Sequence, residues 1–267
     1  MDTTKYESIA SLLNSLKVDV TASEIAIWAL ERKICDEELD DLLSLVNMIA
    51  DKKHVTVIET LKKMSRLPQI VPKTFDNFEY RDLGSEAKKS LMSLKTLSFI
   101  EAKNNVIMVG PTGTGKTHLA QAIGNECCER EMKAYFIKFK ELKGKFDVAL
   151  KQETTEKLLN ALSKYTCLIV DEVGYGTFND DETMLFFHMV DRIKEKQQGS
   201  IILTSNKQPS EWKEFFSHMD ALECTLDRIC ENAICITFTG DSFRARSRTS
   251  MKLDFNGGLQ GQFKKKN

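Results

Sequence analysis

The chain has 267 residues and a formal net charge of −1, with 42% apolar and 29% charged residues. This length predicts one sizeable α/β domain with a small appendage, and the composition excludes a low-complexity chain. The near-zero charge gives no global signature of nucleic-acid binding, although a local basic patch can still serve that function.

The cysteines and the first residues bear on the cellular compartment. The seven cysteines are odd in number and form no C-x-x-C pair, which is typical of reduced core residues and does not imply structural zinc. The amino-terminal stretch lacks the pattern of a secretory signal, and no apolar run approaches the roughly 18 residues that a membrane helix needs. We therefore expect a cytoplasmic protein that has no membrane partner.

Residues 1–67 predict a small, all-helical N-terminal unit, because apolar residues recur there at helical spacing. Thr21 and Glu24 match a capping box, in which each side chain satisfies a free backbone donor of the other residue. Between residues 5 and 66, the 11 acidic residues outnumber the 9 basic ones, so charge alone does not favour DNA binding. We expect this unit to bind a partner protein.

A linker and an α/β core follow. Pro68 and Pro72 break the helical pattern and mark a linker over residues 68–80. Short β-branched runs then alternate with helical stretches over residues 81–248, which predicts a parallel sheet covered by helices on both faces. The basic tail, residues 249–267, has little to bury and is expected to be disordered. The predicted strands are 106–109, 134–139, 167–170, 201–204 and 233–238, and the clearest predicted helices are 117–129 and 181–196.

A phosphate-binding loop is predicted directly after the first of these strands. Residues 110–117 match G-x-x-x-x-G-K-[ST] and precede a predicted helix, a context that weighs against a chance glycine-rich turn. The loop amides and the helix N-terminus attract phosphate, Lys116 can reach the β and γ phosphates, and Thr117 can ligate Mg²⁺. The predicted ATP-binding residues are Gly110, Pro111, Thr112, Gly113, Thr114, Gly115, Lys116 and Thr117.

A second predicted strand, residues 167–170, ends in two adjacent carboxylates. Asp171 is predicted to hold Mg²⁺ from this strand, opposite the phosphate-binding loop. Glu172 is predicted to act as general base on the attacking water, which is typical of hydrolases. The alternative, an acidic strand-end cap, loses weight because the two motifs occur together.

With these motifs in order, the chain resembles the AAA+ ATPases, and more narrowly the branch that contains IstB and DnaC. It looks most like the IstB family of transposition helper ATPases. The resemblance covers residues 67–246 and starts with a linker phrase that ends at Phe78. Its motifs are Gly110–Ala120, Asp171–Tyr175, Thr204–Trp212, Leu226–Arg228 and Gly240–Arg244.

The resemblance implies an AAA+ P-loop core with a five-stranded parallel sheet. It also implies a reduced lid, since only 29 residues follow Phe238. His118 and Arg244 join the expected nucleotide contacts. Arg244 begins a basic stretch that ends at Arg248, and this stretch suits contact with a DNA backbone equally well.

Two further catalytic residues follow from the resemblance. Asn206 would position the hydrolytic water, because an amide can donate to the γ-phosphate and accept from water; capping of the next loop is the alternative. Arg228 would be an arginine finger that reaches the ATP of a neighbouring subunit. A surface ion pair with Asp227 or Glu231 is the alternative for Arg228.

An arginine finger needs a neighbour, so ATP is expected to promote a homo-oligomeric ring or spiral. The expected DNA contact lies in a helical insertion, residues 140–164, where lysines slightly outnumber acidic residues, and the candidates are Lys143, Lys145 and Lys151. A solvated helix face is the alternative.

Three functions from different classes remain open on the sequence alone. The first is a transposition helper that assembles on duplex DNA and stimulates a transposase. The second is a helicase loader that grips its partner through the N-terminal helices. The third is a phosphotransferase, which the combination of Glu172, Asn206 and Arg228 disfavours.

Overall fold

A computed structural model describes residues 3–78, 85–196, 199–217 and 219–239. The predicted nucleotide contact at Arg244, the reduced lid and the tail 249–267 lie outside these residues. Among the described helices, none combines the length and the apolar character needed to cross a bilayer.

The N-terminal unit is helical, as predicted. It consists of α1 (Thr3–Ser15), α2 (Ala22–Arg32) and α3 (Asp36–Met64). The predicted capping box is present, because the Thr21 side chain accepts from the Glu24 backbone amide and the Glu24 carboxylate accepts from Thr21 N. The helices enclose a small apolar core formed by Tyr6, Ile9, Ala10, Ile25, Ala29 and Leu39.

Helix α3 extends well beyond that small core and reaches the α/β core. Its C-terminal half carries His54 and Lys62, which pair with Glu131 and Glu129 at 2.6 and 2.5 Å. Beyond its end, the Ser65 carbonyl accepts a hydrogen bond from Phe136 N at 2.8 Å. The last turns of α3 are therefore attached directly to the α/β core.

Within the described residues, five parallel strands form one sheet in the order β2-β3-β4-β1-β5. The inner strands are mostly apolar, which is typical of parallel strands that helices cover on both faces. The order places the carboxyl ends of β3, β4 and β1 side by side, where ligands bind in such sheets. The strands are β1 (Val106–Val109), β2 (Ala134–Lys138), β3 (Cys167–Val173), β4 (Ser200–Ser205) and β5 (Ile234–Thr237).

Helices connect the strands and divide the interior into two apolar layers, one on each face of the sheet. Helix α6 follows the phosphate-binding loop and packs on β2 and β3. The helices are α4 (Ser85–Thr96), α5 (Ser98–Glu101), α6 (Lys116–Glu129), α7 (Phe139–Lys151), α8 (Thr155–Leu162), α9 (Asp180–Lys196), a 3-10 turn (Pro209–Glu214) and α10 (Met219–Cys230).

The predicted ends of β2, β3, β4 and β5 were wrong by one to three residues, and two of these differences have an identifiable cause. Phe139 was predicted to end β2 but begins α7, where its buried ring stacks on Phe178 at 4.1 Å. Strand β3 was predicted to end at Val170 but continues to Val173 through an irregularity opposite Thr204. Both differences arise from tertiary contacts that a local pattern does not contain.

The linker after α3 follows a defined path along α6. Leu67 packs against Gly124, where a Cβ would lie only 3.0 Å from its Cδ1 atom. Further along, Asn125 Nδ2 donates to the Lys73 carbonyl at 2.7 Å. The linker therefore lies against the helix that begins at the phosphate-binding loop, and its last described residue, Phe78, lies beside that loop.

Candidate functional site

The phosphate-binding loop connects β1 to α6 as predicted, and a cavity of about 500 Å³ opens beside it. This volume lies within the range of small-ligand sites. Gly115 adopts φ 104°, a left-handed conformation that favours glycine, and a Cβ there would lie 3.1 Å from the Phe78 ring. The lining residues are Lys73, Asn77, Phe78, Thr112, Gly113, Gly115, Lys116, Thr117, His118, Gln121, Glu172, Tyr175, Thr204, Ser205 and Asn206.

The side chain of Lys116 folds back onto the phosphate-binding loop. Its Nζ donates to the carbonyls of Gly110 and Pro111, each at 2.7 Å. Burial lowers the pKa of Lys116 to about 8, an effect that the charge of Asp171 partly opposes. The ammonium group is thus held at the mouth of the loop, where an anionic ligand would favour its protonated form further.

Asp171 is fully buried at the end of the regular part of β3, close to the loop. Its Oδ1 atom accepts from Thr117 Oγ1 at 2.9 Å and from Thr204 Oγ1 at 2.5 Å. Burial raises the pKa of Asp171, while these two hydrogen bonds oppose the rise.

The oxygen atoms of Asp171 and Thr117 are suitable donors for the predicted Mg²⁺ ion. Asp171 Oδ2 is buried and has no hydrogen-bond partner among the described residues. A buried carboxylate oxygen without a partner is costly unless a cation or a proton satisfies it. Thr117 supplies a hydroxyl beside it, and hard oxygen donors of this kind suit Mg²⁺. The residues present therefore fit the ion.

Glu172 differs from its neighbour in exposure and contacts. Its side chain is 40% exposed, faces the cavity and pairs with Lys138 Nζ at 3.0 Å. The hydrogen bond to Glu172 raises the pKa of Lys138. The backbone of Glu172 has φ 60°, an uncommon conformation for a residue that carries a side chain. Glu172 is partly exposed and Asp171 is buried, so the two carboxylates suit different roles, Glu172 that of a base and Asp171 that of a metal ligand.

Asn206 follows β4 and faces the loop from the neighbouring strand. Its Nδ2 donates to Thr112 Oγ1 at 2.9 Å and to Tyr175 Oη at 3.0 Å. These contacts join three segments of the site. The predicted position of Asn206 at the cavity is therefore observed, while its role in positioning water stays a prediction.

The linker forms a wall of the cavity that the sequence did not assign to the site. His118 Nε2 lies 2.8 Å from Asn77 Oδ1 and 3.3 Å from the Thr74 carbonyl, and its ring meets Phe78 edge-on. Burial lowers the pKa of His118. The linker phrase and Tyr175 were visible as motifs, but no local pattern indicated that they face the loop.

The remaining predicted site residues lie away from the cavity. Arg228 is on α10 and pairs with Asp191 of α9 at 2.6 Å, whereas the predicted alternative partners were Asp227 and Glu231. Lys143 of α7 pairs with the fully buried Glu182.

The other two predicted DNA contacts, Lys145 and Lys151, are on the same helix α7 as Lys143. Lys145 lines a shallow groove between α7 and α8, and Lys151 is exposed at the end of α7.

Comparison with known proteins identifies the family. A family model described as IstB-like ATP binding protein matches residues 11–251. The ATP-binding protein of insertion sequence IS232 from Bacillus thuringiensis subsp. berliner is 31% identical over 93% of this chain and 98% of its own length. The corresponding protein of IS5376 from Geobacillus stearothermophilus is 36% identical over 74% of this chain and 77% of its own length.

Solved structures share the fold at lower identity. AMPPCP-bound DnaA from Aquifex aeolicus has a TM-score of 0.54 and 23% identity, covering 67% of this chain and 53% of the DnaA chain. DnaI has a TM-score of 0.54 and 18% identity, covering 67% of this chain and 94% of its own. At these identities the likeness establishes the AAA+ P-loop fold alone. With the family match, the chain belongs to the IstB-like ATP-binding proteins and binds ATP through an AAA+ core.

Proposed function

We propose that this protein is a Mg²⁺-dependent ATPase that assembles on DNA and assists a transposase. One observation carries the hydrolytic part of the proposal. The fully buried Asp171 is hydrogen-bonded to Thr117 and is followed in sequence by the partly exposed Glu172. Thr117 and Glu172 line the cavity that also contains Lys116. Asp171 and Thr117 would hold the ion, which supplies charge neutralisation for the phosphates when bound. Glu172 would accept the proton of the attacking water.

Two substitutions test the hydrolytic assignment. Lys116→Ala should abolish ATP binding, since the charge that meets the phosphates is removed. Glu172→Gln should keep ATP binding but lose hydrolysis by roughly 10²- to 10⁴-fold, the usual contribution of a general base. Glu141→Gln is a matched control, because this carboxylate pairs with Arg66 on the surface. Equal loss of ATP binding in the first two variants would contradict the roles.

The reaction class has its own test. Hydrolysis of ATP to ADP and phosphate in the absence of any phosphate-accepting substrate would exclude the phosphotransferase alternative. Failure to hydrolyse without an added acceptor would instead favour it.

We propose that ATP promotes a ring or spiral in which Arg228 completes the site of a neighbouring subunit. The guanidinium is permanently charged and partly exposed, 33% of its side chain being accessible. Mixing Arg228→Ala with Glu172→Gln tests action across an interface. Mixed oligomers contain some sites with both residues intact, so turnover should partly return. No recovery in an oligomer shown to be mixed would contradict action between subunits.

The proposed DNA contact is the outer surface of α7 and α8. Lys145 lines a groove of about 770 Å³ with Lys157, and Lys151 is exposed nearby. Lys143 contributes less free charge to this surface because Glu182 already neutralises it. Phosphate contacts made by lysines on this surface would give salt-dependent, largely sequence-independent affinity.

A charge reversal tests the DNA contact. Lys145→Glu combined with Lys151→Glu should weaken DNA binding and flatten its dependence on salt. Lys52→Glu combined with Lys63→Glu is the matched control, since it changes the net charge equally on the exposed surface of α3. Equal affinity of both double variants for DNA would contradict the proposed surface.

A helicase loader is the second candidate function. The observation behind it is a fold likeness to the DnaC helicase loader, with a TM-score of 0.51 over 97% of the DnaC chain at 16% identity. In either function the N-terminal helices would grip the partner protein. A transposase reading frame beside the gene and a preference for duplex DNA would support the transposition helper. Preference for single-stranded DNA and capture of a replicative helicase would support the loader.

A cytoplasmic location is part of the proposal. All seven cysteines are free, as expected in a reducing compartment. Fractionation of cells that produce the protein would test this.

A further inference from the structure

The two adjacent carboxylates of β3 lie at an interruption of the sheet. Val170 pairs with Leu203 and Val173 pairs with Ser205, so two residues of β3 face the single residue Thr204 of β4. This two-against-one arrangement is a β-bulge. The bulge residue Glu172 has φ 60°.

The bulge has a direct consequence for the site. Successive side chains of a regular strand point to opposite faces of the sheet, so Asp171 and Glu172 would then be directed apart. Here Asp171 contacts Thr117 and Glu172 lines the same cavity. The left-handed backbone conformation at Glu172 would allow both consecutive carboxylates to act on one site.

A single hydroxyl holds both residues of the bulge. Thr204 Oγ1 donates to Asp171 Oδ1 at 2.5 Å and accepts from the backbone amide of Glu172 at 3.0 Å. Thr204 is 1% exposed, so water does not compete for these bonds. A hydroxyl is suited to this position because it donates one hydrogen bond and accepts others at the same atom.

We propose that Thr204 is a positioning residue that sets Asp171 for metal binding and Glu172 for activation of water. It acts through the two carboxylate residues, because its hydroxyl is engaged by them. The part that concerns water rests on the ATPase function proposed above. The part that concerns the metal does not, since it requires only that Mg²⁺ strengthens nucleotide binding.

Substitutions at Thr204 test this role. Thr204→Val keeps the shape but removes both hydrogen bonds, whereas Thr204→Ser keeps the hydroxyl. Thr183→Val is the matched control, because Thr183 is equally buried on α9 and its hydroxyl has no hydrogen-bond partner among the described residues. If Thr204→Val does not fold, Thr204→Ala can be used in its place, because it removes the same hydrogen bonds without adding a methyl group.

Two readouts separate positioning from a merely structural role. The first is the affinity for a fluorescent ATP analogue with and without Mg²⁺, and the second is the rate of hydrolysis at saturating ATP. In Thr204→Val, the gain in affinity from Mg²⁺ should fall roughly 10-fold, as expected for loss of a hydrogen bond to a charged group. Hydrolysis should fall further, while metal-free affinity changes less than about twofold.

Recovery and control complete the test. Thr204→Ser should restore both quantities to within about threefold of the wild type, and Thr183→Val should change neither. A Thr204→Val protein with wild-type magnesium dependence would overturn the proposal. So would equal losses in Thr204→Val and Thr204→Ser, because these would indicate packing and not hydrogen bonding.

The two proposals fail in different ways. A wild-type protein that binds magnesium nucleotide without hydrolysing it would contradict the ATPase function. The magnesium dependence of affinity in Thr204→Val would still decide the role of Thr204.

Discussion

Arg228 forms an ion pair with Asp191, whose Oδ1 atom lies 2.6 Å from its Nε. The Arg228 guanidinium carbon also lies 4.8 Å from the centre of the Phe187 ring. These contacts join α10 to α9 within one subunit. Arg228, which is proposed to reach the ATP of a neighbouring subunit, therefore already has partners in its own chain. A change at Asp191 separates its role within the subunit from its proposed role between subunits.

Asp191→Asn should leave ATP hydrolysis intact or raise it, because it releases Arg228 from its intrachain partner. Arg228→Ala should lower hydrolysis by about 10³-fold or more if the guanidinium stabilises the transition state. The pair is partly exposed, so either change should cost no more than about 1 kcal/mol of unfolding free energy. Steady-state hydrolysis and urea unfolding of both variants check this. Unchanged hydrolysis in Arg228→Ala, with similar losses of stability in both variants, would assign Arg228 a structural role.

ATP affinity should depend on pH through Lys116. Its pKa in the free protein is about 8, lowered by burial, and bound phosphate favours the protonated form. Binding then takes up a proton above pH 8, so affinity falls as pH rises. We expect ATP to bind about tenfold more weakly at pH 9 than at pH 7. Titration calorimetry at both pH values measures this. Lys116→Arg stays charged throughout, so whatever affinity it retains should be independent of pH; an equally pH-independent wild type would contradict the assignment.

Lys143 should matter for stability more than its neighbours do. Its Nζ contacts both carboxylate oxygens of Glu182, which is completely buried at the start of α9. Lys143→Met leaves this carboxylate without a cation and should lower the unfolding free energy by roughly 3 kcal/mol. Lys145→Met removes the same charge from the same helix and should cost less than about 0.5 kcal/mol. Urea unfolding compares the two.

The double variant Lys143→Met, Glu182→Gln supplies a further check on the buried pair. Removing the uncompensated charge should recover part of the lost stability. Equal unfolding free energies for Lys143→Met and Lys145→Met would instead indicate that Lys143 does not stabilise the protein through Glu182. Lys143 would then belong with the lysines of the surface proposed to bind DNA.

Two helical glycines should respond to alanine in opposite directions. A Cβ at Gly124 would lie 2.8 Å from Ile169 Cδ1 and 3.0 Å from Leu67 Cδ1, so Gly124→Ala should destabilise the protein by about 1–3 kcal/mol through overpacking. A Cβ at Gly144 meets no atom within 4 Å, so Gly144→Ala should stabilise it by about 0.5–1 kcal/mol. Thermal unfolding gives both signs. Stabilisation by Gly124→Ala would show that Ile169 and Leu67 do not pack against α6 as described.

The chemistry of the site was predictable from short stretches of sequence because each stretch is continuous in the chain. Residues 110–117 contain the loop, its glycines and its lysine, and their place between a strand and a helix follows from local apolar patterns. The same holds for Asp171 at the end of an apolar strand and for Asn206 after another. Parallel strands bring their carboxyl ends together, so these segments were expected to meet.

Contacts between segments distant in sequence were not predictable in this way. The backbone amide of Glu172 in the bulge donates to the hydroxyl of Thr204, 32 positions away, and Asn77 of the linker contacts His118, 41 positions away. By sequence, Lys143 is one of several lysines in a helical stretch, whereas in the structure it pairs with a buried carboxylate on α9. Local sequence determined which groups are present and which strand or helix carries them. The tertiary structure decided their partners, because hydrogen bonds and buried charges are satisfied by whichever groups the packing brings near.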